Sequence, residues 1–166
     1  MTYDEAKAKF IQTWGTLATQ WGINRTMAQL HALLLIAPEP LSTEDAMEQL
    51  QISRGNANMN LRELIDWGLI FRHLKPGERR EYFVAEKDIW KVARQVAKER
   101  RRREIKPVLE VLHELQQVDD NTPESAEFKR VIDGISSVAG FADSTLNAVV
   151  RAEENWLMGQ FMKVFK

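Results

Sequence analysis

A chain of 166 residues that is 44% hydrophobic and 28% charged has the composition of one folded domain with room for a further helical layer. It has no cysteine, which excludes disulfides, thiolate metal sites and thiol redox sensing, and its longest apolar run, "LHALLLIA", is too short to span a bilayer. The net charge of −1 hides two basic segments: residues 53–82 carry six Lys/Arg against four Asp/Glu, and residues 87–106 carry nine against three. Residues 1–52 and 107–166 are acidic, so a polyanionic partner is expected to meet the middle of the chain. The opening residues "MTYDEAKAKF" lack the order of a secretory signal, and a cytoplasmic protein without a membrane partner is expected.

In chain order, Phe10, Trp14, Leu17, Ala18 and Trp21 recur at helical spacing from Tyr3 to about Trp21, with Phe10, Trp14 and Trp21 suited to a core or a dimer seam. After Gly22 and Asn24 a second helix is expected from about Arg25 to Ala37, closed by Pro38 and Pro40. Ser42 is the predicted N-cap of a short third helix, with Asp45 three residues on. Ser53 caps a fourth, whose inward face is Ala57, Leu61, Leu64 and Ile65 and whose end is Gly68. "LIFRHL" and "REYFVA" are β-prone and joined by "KPGER", where Pro76 and Gly77 suit a type II turn; together they predict a hairpin. Helical spacing returns at Lys87 and lasts to about Val118, with Pro107 expected to kink or divide it. Two amphipathic helices, about 123–141 and 143–165, are expected after the loop "DDNTPES".

The fold class expected is mainly α with a small β-hairpin wing: a winged helix-turn-helix domain with N- and C-terminal dimerisation helices. The domains expected are an N-terminal helix over residues 1–24, a DNA-binding domain over 25–88 and a helical dimerisation region over 89–166. In such an order the second helix of the pair lies in the DNA major groove. Helical rotation of 100° per residue sets Gly55, Met59, Arg62 and Asp66 opposite the apolar face, with Asn56 and Asn58 on its shoulders. Gly55, Asn56, Asn58 and Asn60 rank poorly inside helices, so their presence asks for a reason. Asn can pair bidentately with adenine, glycine lets backbone approach a phosphate, and Met59 offers an apolar tip to a thymine methyl. The predicted recognition residues are Ser53, Arg54, Gly55, Asn56, Asn58, Met59 and Arg62, and the predicted wing contacts are Arg72, Lys75, Arg79 and Arg80. The alternative for the asparagines is surface filler, though filler is usually Lys, Glu or Gln. For "KERRRRE" the default is a solvated helix with Glu99 and Glu104 as partners, and a phosphate contact is the alternative. His31, His73 and His113 have no metal spacing, and His31 reads as a core or interface histidine. With no phosphate loop, nucleophile elbow or HExxH pattern, neither enzyme activity nor a cofactor or metal is expected.

Residues 13–85, above all "SRGNANMNLRELIDWGLI" and the hairpin up to "EYFVAEKDIW", resemble the MarR/GbsR class of transcription regulators, the former stretch the GbsR-like branch. The resemblance implies a homodimer built by the terminal helices, with one recognition helix per protomer and repression relieved by a small-molecule effector. The family's reading positions correspond to Arg54, Asn56, Asn58, Met59 and Arg62, and its wing to Arg79 and Arg80. The chain departs from the class beyond Lys106, where about 45 residues in two helices are added to shorter dimer helices. The GbsR branch is associated with choline and glycine betaine, which invites an aromatic cage; the candidate effector-pocket residues are Trp14, Trp21 and Trp90. The rival function is a winged-helix protein–protein interaction module without DNA binding, and a third is constitutive DNA binding without an effector.

Overall fold

The computed structural model describes residues 1–119 and 121–152. It divides into two compact units, Met1–Val92 and Ala93–Lys166.

In the first unit, α1 (Tyr3–Gln20) starts from a capping box between Thr2 and Glu5. Its core side is small: Ile11, Gly15 and Ala18 are buried. A Cβ on Gly15 would stand 2.7 Å from Cγ of Gln29, so glycine is what lets α1 close on the next helix. Trp14, Leu17 and Trp21 remain 37%, 39% and 63% exposed, which leaves the first two tryptophans of the chain outside this unit's core. Helix α2 (Arg25–Ile36) is capped by Asn24 and buried on nearly every side, as an apolar helix at the centre of a unit must be. The carbonyls of its last turn, which have no partner within the helix, accept from Lys87 Nζ: Leu34 at 2.7 Å, Leu35 at 2.8 Å and Ala37 at 2.7 Å. An ammonium group there also answers the negative end of the helix dipole.

Ser42 caps α3 (Thr43–Leu50) in a capping box with Asp45. Leu41–Ser42 also forms a short strand, β1, which the sequence reading did not include. Two residues following Pro40 are too few to show alternation, and only pairing with a distant strand makes them β. Helix α4 (Arg54–Asp66) comes next, with Ser53 as its cap. It ends as expected: Gly68 has φ +68°, with its N–H on Ile65 O at 2.8 Å and that of Leu69 on Leu64 O at 3.0 Å. Strands β2 (Ile70–His73) and β3 (Tyr82–Ala85) form the hairpin. The antiparallel sheet has order β1-β3-β2, with Leu41 opposite Phe83 and Arg72 opposite that same residue from the other side. Glu78 N–H bonds Lys75 O at 3.1 Å and Gly77 has φ +82°, which is the type II turn that Pro76 and Gly77 predict. Leu30, Leu33 and Leu34 of α2 meet Leu61 and Leu64 of α4 and Ile70 in a core where none exceeds 2% exposure. Each such side chain contributes roughly 1.5–3 kcal/mol by leaving water.

Helix α5 (Ile89–Arg100) opens before the division and its later turns belong to the second unit. There it passes into a π-helical turn, Arg101–Ile105, and then α6 (Lys106–Leu115). The Lys106 N–H bonds Arg101 O, five residues back. Pro107 has no N–H and its ring obstructs the carbonyl four residues earlier, so a wider turn just ahead of it relieves the clash. The break expected at Pro107 is therefore a change of helical pitch. Helix α7 runs unbroken over Pro123–Arg151, which corrects the expectation of two helices meeting at residue 142. Ser144 and Thr145 bond back to Gly140 O and Phe141 O, both at 2.9 Å, and so continue the helix instead of starting one. Asp143, next to the supposed break, holds Arg101 through two contacts of 2.6 and 3.0 Å. Residues 153–165 of the expected last helix lie outside the described residues.

Candidate nucleic-acid interface

The fourth helix presents two chemically different sides. Ala57, Leu61 and Leu64 are at most 2% exposed, whereas Met59 is 60% exposed and Arg54, Gly55 and Arg62 also face solvent. Ser53 Oγ accepts from Asn56 N–H at 3.3 Å, fixing the start of the helix. Asn56 and Asn58 lie half-buried on the shoulders. A Cβ on Gly55 would meet nothing within 4 Å, so packing within the chain makes no demand for glycine there. Arg54 reaches across to Glu44 of α3 at 2.7 Å. The Glu44 carboxyl is held below its usual range, first by its own backbone N–H in the first turn of α3 and then by Arg54. Arg62 makes no ion pair among the described residues. Sequence reasoning missed two residues here, Glu44 and Asn60. Asn60 is 3% exposed and donates through Nδ2 to Asn56. Its position four residues after Asn56 and beside Leu61 was the signal that could have found it.

The hairpin carries the remaining candidates. Arg72 pairs with Glu81 at 3.4 Å. Lys75 lies 4.0 Å over the ring of Tyr82, whose hydroxyl bonds Glu78 and is thereby pushed above its ordinary pKa. Arg79 and Arg80 are exposed and have no ion pair among the described residues. The structure thus separates four predicted wing cations into two engaged locally and two available to a partner.

Residues 21–81 match the MarR family model. The MarR-matching segment begins at the end of α1, contains α2 to β2, and stops at the residue before β3; it covers less than half of the chain. A solved structure described as "Crystal Structure of a transcriptional regulator" is similar with a TM-score of 0.57 and 21% identity, over 86% of this chain and 98% of that one. At that identity the likeness shows the fold. No curated protein matches. The mostly helical chain with its three-stranded antiparallel sheet has a winged helix-turn-helix fold, consistent with the MarR type.

All the predicted recognition residues and wing cations lie within the MarR-matching segment. The arginine run lies outside it and is engaged in its own unit: Arg102 and Arg103 hold Glu99 at 2.6 and 3.0 Å, Arg100 holds Glu104 at 3.2 Å, and Arg101 holds Asp143. Hydrogen bonding from Arg102 keeps the largely buried Glu99 carboxyl below its usual range. His31 is in the MarR-matching segment and buried; burial first, then the charge of Lys87, lowers its pKa to about 4, and its Nε2 has no partner among the described residues. Trp14 stacks at a tilt on Phe10, with 5.6 Å between rings, and Trp90 is 46% exposed. A cavity of about 110 Å³ lies between α1, α2 and α3, with Tyr3, Lys7, Leu33, Pro38 and Gln49 in its wall, and none of Trp14, Trp21 or Trp90 lines it. Among the described residues no cluster suits a metal ion and no helix is long and apolar enough to cross a membrane.

Proposed function

We propose that the chain is a homodimeric, sequence-specific regulator of transcription that binds double-stranded DNA. Helix α4 is its major-groove reader and the β2–β3 hairpin its wing. The observation that carries this reading is the outward side of α4, where Arg54, Gly55, Asn58, Met59 and Arg62 stand exposed or half-exposed on a helix whose other side is fully packed. Ser53 and Gly55 bring the helix start to the phosphates, Asn56, Asn58 and Met59 read base edges, and Arg54 and Arg62 reach guanine or phosphate. Arg72, Lys75, Arg79 and Arg80 contact the neighbouring backbone.

Dimerisation is supported by apolar surface left uncovered within each unit. On α7, Phe128, Val131, Ile135, Val138 and Val149 are 39–71% exposed and follow heptad spacing. On α1 and at its C-cap, Trp14, Leu17 and Trp21 are exposed. Residues 1–24 and 89–166 are accordingly the dimerisation elements around a DNA-binding domain at 25–88. Repression relieved by a small molecule, and placement in the GbsR-like branch, follow from the resemblance of "SRGNANMNLRELIDWGLI"; Trp14, Trp21 and Trp90 are the residues offered to that effector. A regulator of this kind works in the cytoplasm, where bacterial and archaeal DNA is.

Fluorescence anisotropy of the full chain with the duplex upstream of its own gene, set against random duplex, tests the proposal. Operator preference, steep weakening with salt and half-sites about one helical turn apart are expected. Replacing both Asn58 and Met59 by Ala removes the preference. Binding indifferent to salt, or none, points to the protein-interaction reading, which the uncovered stripe on α7 would then serve.

A further inference from the structure

Asn60 sits on the packed side of α4 at 3% exposure, where a polar side chain needs a partner. Its Nδ2 donates to Asn56 O at 2.9 Å and to Asn56 Oδ1 at 2.7 Å. These two contacts settle the orientation of both amides. A backbone carbonyl only accepts, so the Asn60 atom facing it is the NH2 nitrogen. That nitrogen only donates, so the Asn56 atom facing it is the oxygen. The end of the Asn56 amide turned away from Asn60 is its own NH2 group. Two-sided reading of adenine needs an amide oxygen on N6 and an amide nitrogen on N7 together. The contact turns the Asn56 oxygen toward Asn60 on the packed side of α4; that oxygen keeps a second lone pair, but swinging it out onto N6 would break the contact and strand a buried donor, which is costly. Asn58 has no such holder among the described residues.

We propose that Asn60 is a positioning residue that makes Asn56 a donor-only reader. Asn56 then selects a base edge offering acceptors, guanine N7 and O6 or thymine O4, and two-sided recognition of adenine falls to Asn58. This rests on the reading of α4 as the major-groove helix.

Selection of bound duplexes from a randomised pool tests it, using the full chain, Asn60→Leu and Asn56→Asp. Asn60→Leu keeps the branched shape and removes the holding donor, so preference at one position of each half-site should move toward adenine, by roughly tenfold in relative enrichment, with the other positions unchanged. Asn56→Asp keeps an oxygen for Asn60 and turns an acceptor outward, so the same position should move toward cytosine N4. Asn60→Leu could fail to fold; Asn56→Asp then decides. Sequence preferences identical to wild type in a folded variant overturn the proposal. A wild-type chain that enriches no sequence overturns the groove reading instead, and the hold itself is then read by NMR without DNA. There the Asn60 side-chain NH2 protons should exchange slowly and those of Asn56 fast; equal exchange refutes the hold.

Discussion

Arg79 and Arg80 give the most quantitative test of the proposed contact between the hairpin and DNA. Both are exposed and unpaired among the described residues, whereas Arg54 and Arg72 already face Glu44 and Glu81. In the proposed dimer two wings reach one operator, so Arg79→Ala with Arg80→Ala removes four cations. Each cation seated on a phosphate adds roughly 0.9 to the slope of log K against log salt, so the slope should flatten by about 3 to 4. Over a fourfold rise in salt, wild type should therefore lose about a hundredfold more affinity than the variant. Anisotropy titrations at several salt concentrations measure both slopes. Phosphate contacts carry no base information, so the ratio of operator to random binding should stay as it was. Parallel salt lines for the two proteins would refute the reasoning, because the lost affinity would then owe nothing to released counterions.

Three further outcomes are expected from the geometry. Lys87→Met strips three carbonyls at the end of α2 of their charged donor and should cost about 2 kcal/mol, or roughly 10 °C of melting temperature, read by thermal denaturation. His31 is neutral in the fold with a pKa of about 4, below its ordinary 6.5. Its stabilisation is complete above the ordinary value and is lost as pH falls toward 4, in total about 3 kcal/mol; denaturant midpoints across that window should drop for wild type and less for His31→Leu. Ile135→Glu with Val138→Glu places carboxylates on the heptad stripe of α7. Light scattering should then report the 19.2 kDa chain in place of twice that mass.

What could be read from sequence was whatever the chain decides locally. Ser42, Ser53 and Gly68 act through hydrogen bonds to residues within a turn, and Pro76 with Gly77 dictates its own geometry, so the third and fourth helices and the hairpin were evident. The inward side of α4 came from rotation alone. What escaped depends on partners far along the chain. Strand β1 exists because Leu41 and Ser42 meet β3, and Lys87 finds α2 from 50 residues away. The unbroken α7 was hidden because Gly140 and Asp143 look like punctuation until Arg101 claims the carboxylate. At the proposed reading surface, residue types pointed to Asn56 and Asn58 alike. That among the described residues Asn56 is held by Asn60 and Asn58 by none is a fact of contact and not of composition.

The wider turn at Arg101–Ile105 sets the rotational phase of α6. Five residues there occupy the arc that four would fill in a regular helix, so the turn acts as one inserted residue. Deleting a residue within it should yield an ordinary α-helix and leave Ala97 and Leu112 both facing inward. Replacing Pro107 by Ala without that deletion frees the segment to tighten, and every side chain beyond it would swing by about 100° about the axis. Leu112 would then leave its berth beneath α7. Proline thus indexes the rod, choosing which stripe of α6 the neighbouring helix meets.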